Sequence, residues 1–431
     1  LRGESPARSV AAPPQRQPQR LIGHPLPVVP VTYQQQRPSP RAGITDGACL
    51  TLLLLTALGA PGAGAPPAAR AWAPAVRPAP PLEYPTPRDS NSPLYWDGGT
   101  LYLLTNGAGP GDTPFSTWRS AGPAFGSWAE VGLPVAISPP DPRGQKWIES
   151  VYRDPAGGPL FGFYHLEPFG AGGTCEGWPP PQNELRSPEI GVARSTDGGM
   201  TWQDEGILLR APPGSDRCDS EVISGGRGDF AAVDGRDGYL YLFFTNYQMD
   251  VVDPSDRTAT GRQGVAVARL PVAGLRDGEA IGKVELWDGR WAPAGPRGDG
   301  PVTPLFPARR NWFFRETEGL WGPQPFYSAR LGGFVLVLNL ARGGRGTPML
   351  HPAYSQEGVY VSFNRRPADP RGWSAPTRLE LPEGDDPRWY AQVLGTGPGE
   401  SDTFVAGCAA RLFMDGRSEH LVDLCAGAGR P

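Results

Sequence analysis

Ser92-Pro93-Leu94-Tyr95-Trp96-Asp97-Gly98-Gly99-Thr100-Leu101-Tyr102-Leu103-Leu104 is a short apolar run, a tight Asp-Gly-Gly turn and a second apolar run. A glycine turn between runs rich in Leu, Tyr and Trp predicts a β-hairpin. The unit returns four times: Glu149–His165 with the turn Asp154-Pro155-Ala156-Gly157-Gly158, Asp229–Asn246 turning at Asp234–Gly238, Pro325–Asn339 turning at Gly332-Gly333, and Ala406–Leu424 turning at Asp415-Gly416. Between hairpins lies an alternating strand ahead of a turn and a Trp: Ile190–Arg194 before Trp202, Gly264–Arg269 before Trp287, Gly358–Phe363 before Trp373. Helical periodicity is scarce after position 82, so the chain reads as all-β. Five hairpins at intervals of roughly 60–95 residues, each with an outer pair of strands, predict a five-bladed β-propeller with four-stranded antiparallel blades. The last blade is one strand short, and a segment near Ala71–Arg77 is the expected closure.

Aromatic residues are unevenly spread over the 431 positions. All 16 Phe follow position 114 and, of 13 Trp, only Trp72 precedes position 81, so the first eighty residues cannot hold a core. Residues 1–40 read as upstream read-through or disordered chain. Ala48–Ala60 is apolar and flanked by Arg41 and Ala63-Gly64-Ala65. A membrane span needs about 20 residues, so this run fits a signal peptide over 41–65. A Pro/Ala-rich linker, with the closing segment, covers 66–81, and the propeller covers 82–431. The 59 Gly and 53 Pro punctuate short apolar runs and so mark turns. A net charge of −4, from 40 basic and 44 acidic residues with no basic cluster, argues against nucleic acid and against a membrane partner once the signal is cleaved. The expected location is secreted or periplasmic, and the expected state a monomer. Of the cysteines beyond the signal, Cys175–Cys218 and Cys408–Cys425 are the simplest disulfides. Their spacing matches no zinc pattern, and neither metal nor cofactor is expected.

Ser195-Thr196-Asp197-Gly198-Gly199-Met200-Thr201-Trp202 matches Ser-x-Asp-x-Gly-x-Thr-Trp, the Asp-box. Asp folds onto the turn amides, Gly takes a positive φ and Trp covers the gap between sheets, so Asp197 reads as structural. Glycoside cleavage uses two carboxyls in most enzymes, one protonating the leaving oxygen and one activating water or attacking the sugar. In a propeller these come from the inner-strand openings of different blades. The catalytic candidates are Asp89 before the first hairpin, Glu149 opening the second and Asp229 opening the third, with Glu221 upstream and Glu316 or Glu318 before the fourth.

Each candidate has a plainer reading. Asp89-Ser90-Asn91 sets an acid beside an amide, and equally suits an Asx turn. Trp147 and Glu149 share a strand face by alternation, which suits an indole stacked on a sugar beside an acid, or a solvated strand end. His165 and Glu167 share a face and suit proton transfer or substrate binding, or a satisfied structural histidine. Asp229 follows the glycine turn Gly225–Gly228, and is otherwise a turn acid. Trp321 and Trp389-Tyr390 suit a sugar platform or core packing. Asn91, Trp147, His165, Glu167 and Trp321 form the expected substrate-binding set.

With these strips in place, the chain resembles the five-bladed propeller glycoside hydrolases of the arabinanase, xylosidase and invertase type, and bacterial exported proteins described as sialidase-like or glycosidase-like. The resemblance spans 82–431 as architecture. It is residue-specific only at Asp89–Trp96, Trp147–Tyr152, Tyr164–Pro168, Gly228–Phe230, Trp321–Pro323 and Gln356–Phe363. It implies a secreted enzyme acting on oligosaccharide or polysaccharide, with Asp89 as base or nucleophile and a later-blade acid as proton donor. Glu149 leads for that donor and Asp229 tunes or replaces it; blade three offers Asp229 or Glu221 where an arabinanase-like enzyme carries a Glu. The six blades, arginine triad and Tyr–Glu nucleophile of sialidases cannot be assembled here. A propeller that binds carbohydrate or protein without turnover is the alternative expectation.

Overall fold

The run Leu240-Tyr241-Leu242-Phe243-Phe244 shows no polar alternation because both of its faces are buried. A strand points successive side chains to opposite faces. Leu240, Leu242 and Phe244 pack with Phe161, Phe163 and Ile190 on one side, while Tyr241 and Phe243 pack with Phe334, Leu336 and Leu338 on the other. One strand thus serves two sheet–sheet interfaces, and each such side chain stabilises the fold by about 1.5–3 kcal/mol.

The computed structural model describes residues 72, 74–108, 116–168, 187–213, 215–217, 220, 223, 225–248, 260–313, 316–343, 354–397, 400 and 402–426. All lie in the compact unit Pro67–Pro431. The expectations for 1–40, 41–65, Glu221 and the Cys175–Cys218 pair fall outside the described residues.

The chain begins with strand β1 (Ala75–Glu83) and then builds its sheets in order. Blade I is β2 (Leu94–Asp97), β3 (Thr100–Gly107), β4 (Ser116–Gly122) and β5 (Glu130–Pro134). Blade II is β7 (Gly144–Arg153), β8 (Leu160–Pro168), β9 (Glu189–Ser195) and β10 (Thr201–Leu209), preceded in the chain by β6 (Ala136–Ser138), which pairs with β10. Blade III is β11 (Arg227–Asp234), β12 (Tyr239–Asn246), β13 (Gly264–Pro271), β14 (Glu285–Trp287) and β15 (Trp291–Pro293), with β16 (Phe306–Pro307) also on β13. Blade IV is β17 (Glu318–Ser328), β18 (Gly333–Gly343), β19 (Tyr354–Asn364) and β20 (Thr377–Arg378). Blade V is β21 (Gln392–Gly395), β22 (Ala409–Met414) and β23 (Arg417–Asp423), closed by β1.

Apolar clusters join the blades pairwise around a ring. Tyr95 and Leu104 meet Ile148 and Trp202 between I and II; Phe163 meets Phe230 between II and III; Phe243 meets Leu336 between III and IV. Val361 meets Leu412 between IV and V, and Phe413 meets Leu101 between V and I. The fold is a five-bladed β-propeller. Two blades exceed the expected four strands, and β6 runs parallel to β10 rather than antiparallel. The fifth hairpin, β22–β23, lies one strand further out than its four counterparts, because the short β21 takes the inner place.

Inner strands present unpaired N–H groups toward the axis, and buried backbone donors need partners. Side chains of the preceding blade supply them: Thr117 Oγ1 accepts from Ile148 N at 3.3 Å, and Ser150 Oγ from Ala232 N at 3.2 Å. Thr245 Oγ1 accepts from Gly322 N at 3.2 Å, Gln324 Oε1 from Val393 N at 3.1 Å, and Gln392 Oε1 from Ser92 N at 3.2 Å. The closing strand runs Ala75–Glu83, antiparallel to β23, with Ala75 opposite Asp423 and Glu83 opposite Arg417. Cys408 and Cys425 form the expected disulfide, with Cα atoms 5.1 Å apart.

Candidate active site

The inner strands open at one end of the axis, and at two openings one extra residue breaks the ladder. On β7, Ile148 faces Tyr164 and Ser150 faces Phe163, leaving Glu149 as the extra residue. On β11, Gly228 faces Thr245 and Phe230 faces Phe244, leaving Asp229. Such bulges re-aim a side chain. Asp229 sits at φ 42°, left-handed for a residue with a side chain.

Asp229 is 9% exposed, and the Tyr247 hydroxyl donates to its Oδ2. Burial pushes its carboxyl up, to about 6; the His165 cation opposes this, the Glu149 charge adds to it, and the Tyr247 and Tyr390 hydroxyls oppose it. Asp89 comes from the turn before β2, where its N–H donates to Asn106 O at 2.5 Å. Its Oδ1 accepts from the Tyr390 hydroxyl at 3.4 Å. Lost hydration in the concave mouth, then the charges of Glu167 and Asp229, raise Asp89 to about 7, with Tyr390 opposing and Glu149 adding a smaller push. Asp89 is nevertheless an exposed residue, so water screens these charges more than it does at Asp229.

Glu149 does not open to the mouth. Its side chain is sealed, with Oε1 3.0 Å from His165 Nδ1 and Oε2 accepting from Phe230 N at 3.0 Å. Burial alone would lower His165, but the Glu149 charge and hydrogen bond outweigh it, helped by Asp229 and Glu167, and hold the imidazole up to about 9. The ring fits because position 228 is glycine: a Cβ there would lie 2.8 Å from His165 Cε1. Trp147 packs edge-on to His165 at 5.9 Å.

Several expected site residues are therefore not presented to a substrate. Glu149, expected as leading proton donor, has both oxygens engaged inside the protein. Asn91 is fully buried and ties three blades, donating from Nδ2 to Phe230 O at 3.0 Å and to Pro323 O at 3.3 Å. Trp147 and Trp321 are buried; Trp321 packs between Trp312, Trp389 and Tyr390 and donates to Gln356 Oε1 at 3.1 Å. Glu318 is held by Arg309 and Arg342 at 3.0 and 3.5 Å, apart from the acids above. Asp89, Asp229 and the half-buried Glu167 are the acids whose charges meet at the mouth. Tyr247 was not anticipated, and Tyr390 only as an aromatic surface; no local pattern marks a tyrosine whose hydroxyl will reach a carboxyl far along the chain. Asp197 serves its own turn, accepting from Met200 N, Thr201 N and Thr201 Oγ1 at 3.1, 3.0 and 2.6 Å. Among the described residues no group of three or more His, Cys, Asp or Glu is placed to hold a metal.

Fold and mouth define a five-bladed propeller that gathers carboxyl groups from blades I, II and III at one end of its axis. No family profile matches the sequence, and no curated protein matches it. Solved structures do match over most of the chain. The catalytic domain of a GH62 α-L-arabinofuranosidase of Coprinopsis cinerea matches at 9% identity over 81% of this chain and 96% of that one, with a TM-score of 0.46. A GH93 α-L-arabinofuranosidase of Fusarium graminearum, in complex with arabinobiose, matches at 12% over 78% and 79%, TM-score 0.39. An α-L-arabinanase of Cellvibrio cellulosa matches at 13% over 76% and 86%, TM-score 0.42.

Proposed function

We propose that this chain is an exported carbohydrate-active enzyme that hydrolyses glycosidic bonds of an oligosaccharide or polysaccharide with the pair Asp89 and Asp229. The observation that carries the proposal is the meeting of these two carboxyls, from blades I and III, with the Asp229 charge raising the proton affinity of Asp89 and each carboxyl served by a tyrosine hydroxyl. Two facing carboxyls raised to about 7 and about 6 hold one proton between them near neutrality, which supplies an acid and a base together. Asp229, shielded from water, is assigned as the proton donor; Asp89, reached by water, is the base or nucleophile. In hydrolysis Asp229 gives its proton to the glycosidic oxygen as the C–O bond breaks. Asp89 takes a proton from the attacking water and passes it to solvent while solvent reprotonates Asp229; or Asp89 forms the sugar ester, which a water that gives its proton to Asp229 then cleaves. Glu149 acts one layer below, fixing His165 beside Asp229. Export is supported by the apolar run Ala48–Ala60 and by the Cys408–Cys425 disulfide, which belongs in an oxidising compartment.

The test is turnover of aryl glycosides and oligosaccharides by the wild type, Asp89→Asn and Asp229→Asn. Each substitution is expected to cut kcat by about 10²–10⁴-fold, and the Asp229→Asn loss is expected to shrink for a leaving group that needs no proton. Turnover untouched by both substitutions rejects the pair. Saccharide binding by calorimetry with no turnover of any substrate moves the protein to the non-catalytic alternative.

A further inference from the structure

Two phenols reach the carboxyls of the mouth, and they do so differently. The Tyr247 hydroxyl donates to Asp229 Oδ2. The Tyr390 hydroxyl stands between the two acids, 3.4 Å from Asp89 Oδ1 and in a second hydrogen bond with Asp229. Its backbone is built to hold it there. Tyr390 sits at φ 50°, a conformation that a bulky residue keeps only when its surroundings impose it. Asn339, fully buried on β18, donates from Nδ2 to Arg388 O at 2.7 Å and accepts at Oδ1 from Ala391 N at 2.9 Å. One amide thus grips the chain on both sides of Trp389-Tyr390, and the Tyr390 ring rests edge-on against Trp321 at 5.3 Å.

A phenol hydroxyl donates one proton and accepts through its oxygen. With one proton on the carboxyl pair, all three groups are satisfied at once: the protonated carboxyl donates to the phenol oxygen, and the phenol donates to the carboxylate. With both acids ionised, the phenol has one proton for two carboxylates, and its oxygen faces the charge of the other. With both neutral, the charge-assisted bond, the stronger kind, is lost. The remaining titratable groups around the pair are Glu167 from β8 and Glu149 from β7, which act on Asp89, and the His165 cation, Glu149 and Tyr247, which act on Asp229. Arg88, the chain neighbour of Asp89, turns to Asp415 at 3.4 Å.

We propose that Tyr390 is a bridge that holds Asp89 and Asp229 in their one-proton state, without deciding which of the two carries the proton, and that Asn339 is the positioning residue that keeps the bridge in place. The proposal rests on the Asp89–Asp229 pair described above. A chain of carboxyl, phenol and carboxylate favours the one-proton state over both of its neighbours in pH, so it brings the first ionisation of the pair down and pushes the second up. The pH range in which an acid and a base stand side by side is thereby wider than two unbridged carboxyls would have. The left-handed turn is explained too, since a relaxed backbone at 390 would carry the hydroxyl out from between the acids.

The experiment is an NMR pH titration of the folded protein with aspartate carboxyl carbons labelled. The Asp89 and Asp229 signals are assigned through Asp89→Asn and Asp229→Asn, and both curves are fitted together to the two midpoints of the pair. The wild type, Tyr390→Phe, Asn339→Ala and the double variant are compared. Tyr390→Phe keeps the ring and loses only the hydroxyl; it is expected to raise the lower midpoint and lower the upper one, closing the gap between them by about half a unit or more. Asn339→Ala is expected to close the gap in the same sense, and to add nothing once Tyr390→Phe is present. A gap unchanged by Tyr390→Phe overturns the bridge, and so does a rise of both midpoints together, which is what a donor to one carboxylate alone would give. An Asn339→Ala effect that survives in the double variant overturns the clamp; if that variant does not fold, Asn339→Ser takes its place. No sugar is turned over in this experiment. A narrowed gap in a protein that hydrolyses nothing would sink the enzymatic reading alone, and an unchanged gap in an active enzyme would sink the bridge alone.

Discussion

Glu149 and His165 form an ion pair sealed from water, and its energetics are visible in pH. His165 is raised from 6.5 to about 9. A base raised on folding adds stability that is complete below the unfolded value and lost as pH climbs through the folded one. The pair is therefore expected to add on the order of 3 kcal/mol at pH 6, most of it gone above pH 9. Urea unfolding of the wild type against Glu149→Gln over pH 6–9.5 reads this, and an equal slope in both proteins refutes it. Asp229 works in the same direction at lower pH. An acid raised to about 6 carries stability that is present below pH 4 and lost through pH 6, so Asp229→Asn is expected to raise Tm at pH 8. Which acids stand at blade openings was legible in the sequence, since Asp89, Glu149 and Asp229 all fall where a hairpin begins. Which of them faces water was not. Strict alternation puts Glu149 beside Trp147, but the one-residue bulge at Glu149 turns the carboxyl inward to His165, and a bulge leaves no periodic trace.

At the scale of the strand and turn, two glycines and an aspartate make sharp demands. A Cβ at Gly162 on β8 would lie 2.6 Å from the Trp202 ring, and one at Gly191 on β9 would lie 2.1 Å from Tyr164 Cζ. Trp202, in turn, is fixed by its Nε1 donating to Gly199 O at 2.9 Å. Gly162→Ala is expected to destabilise by about 1–3 kcal/mol through overpacking, measured by denaturant unfolding. Asp197→Ala removes four accepted hydrogen bonds from the β9–β10 turn and is expected to cost about 1–2 kcal/mol while leaving the Asp89 titration unchanged; a moved titration would mean that this turn communicates with the mouth. The turn was readable because its chemistry is local: Asp197 bonds to residues three and four positions on. The fifth hairpin was misplaced by one strand because β21 has only four residues, too few to show a pattern, and its partner β22 shares a turn with β23.

For the whole molecule, five like units predicted a ring, and the paired faces of β12 show how: one unbroken apolar run serves two interfaces. The ring's last joint is held by the Cys408–Cys425 link, which ties the start of β22 to the end of β23 across 17 positions. Removing such a loop constraint costs about 3 kcal/mol, so Cys425→Ser is expected to lower the urea midpoint without changing aryl glycoside turnover at low temperature. The extra strands of blades II and III were not legible, because β6, β15 and β16 are two- or three-residue segments whose pairing is decided by what lies beside them rather than by their own composition.

Blade V is assembled from strands synthesised at opposite times, β1 early and β21 to β23 last. The latch therefore cannot snap shut while the ribosome is still at work on the preceding blades. Until Arg417–Asp423 arrives, β1 is a bare ribbon with no mate, and the wheel stays open. Such a molecule reaches its finished shape only once the last blade has been released, so closing the wheel is the final act of its folding.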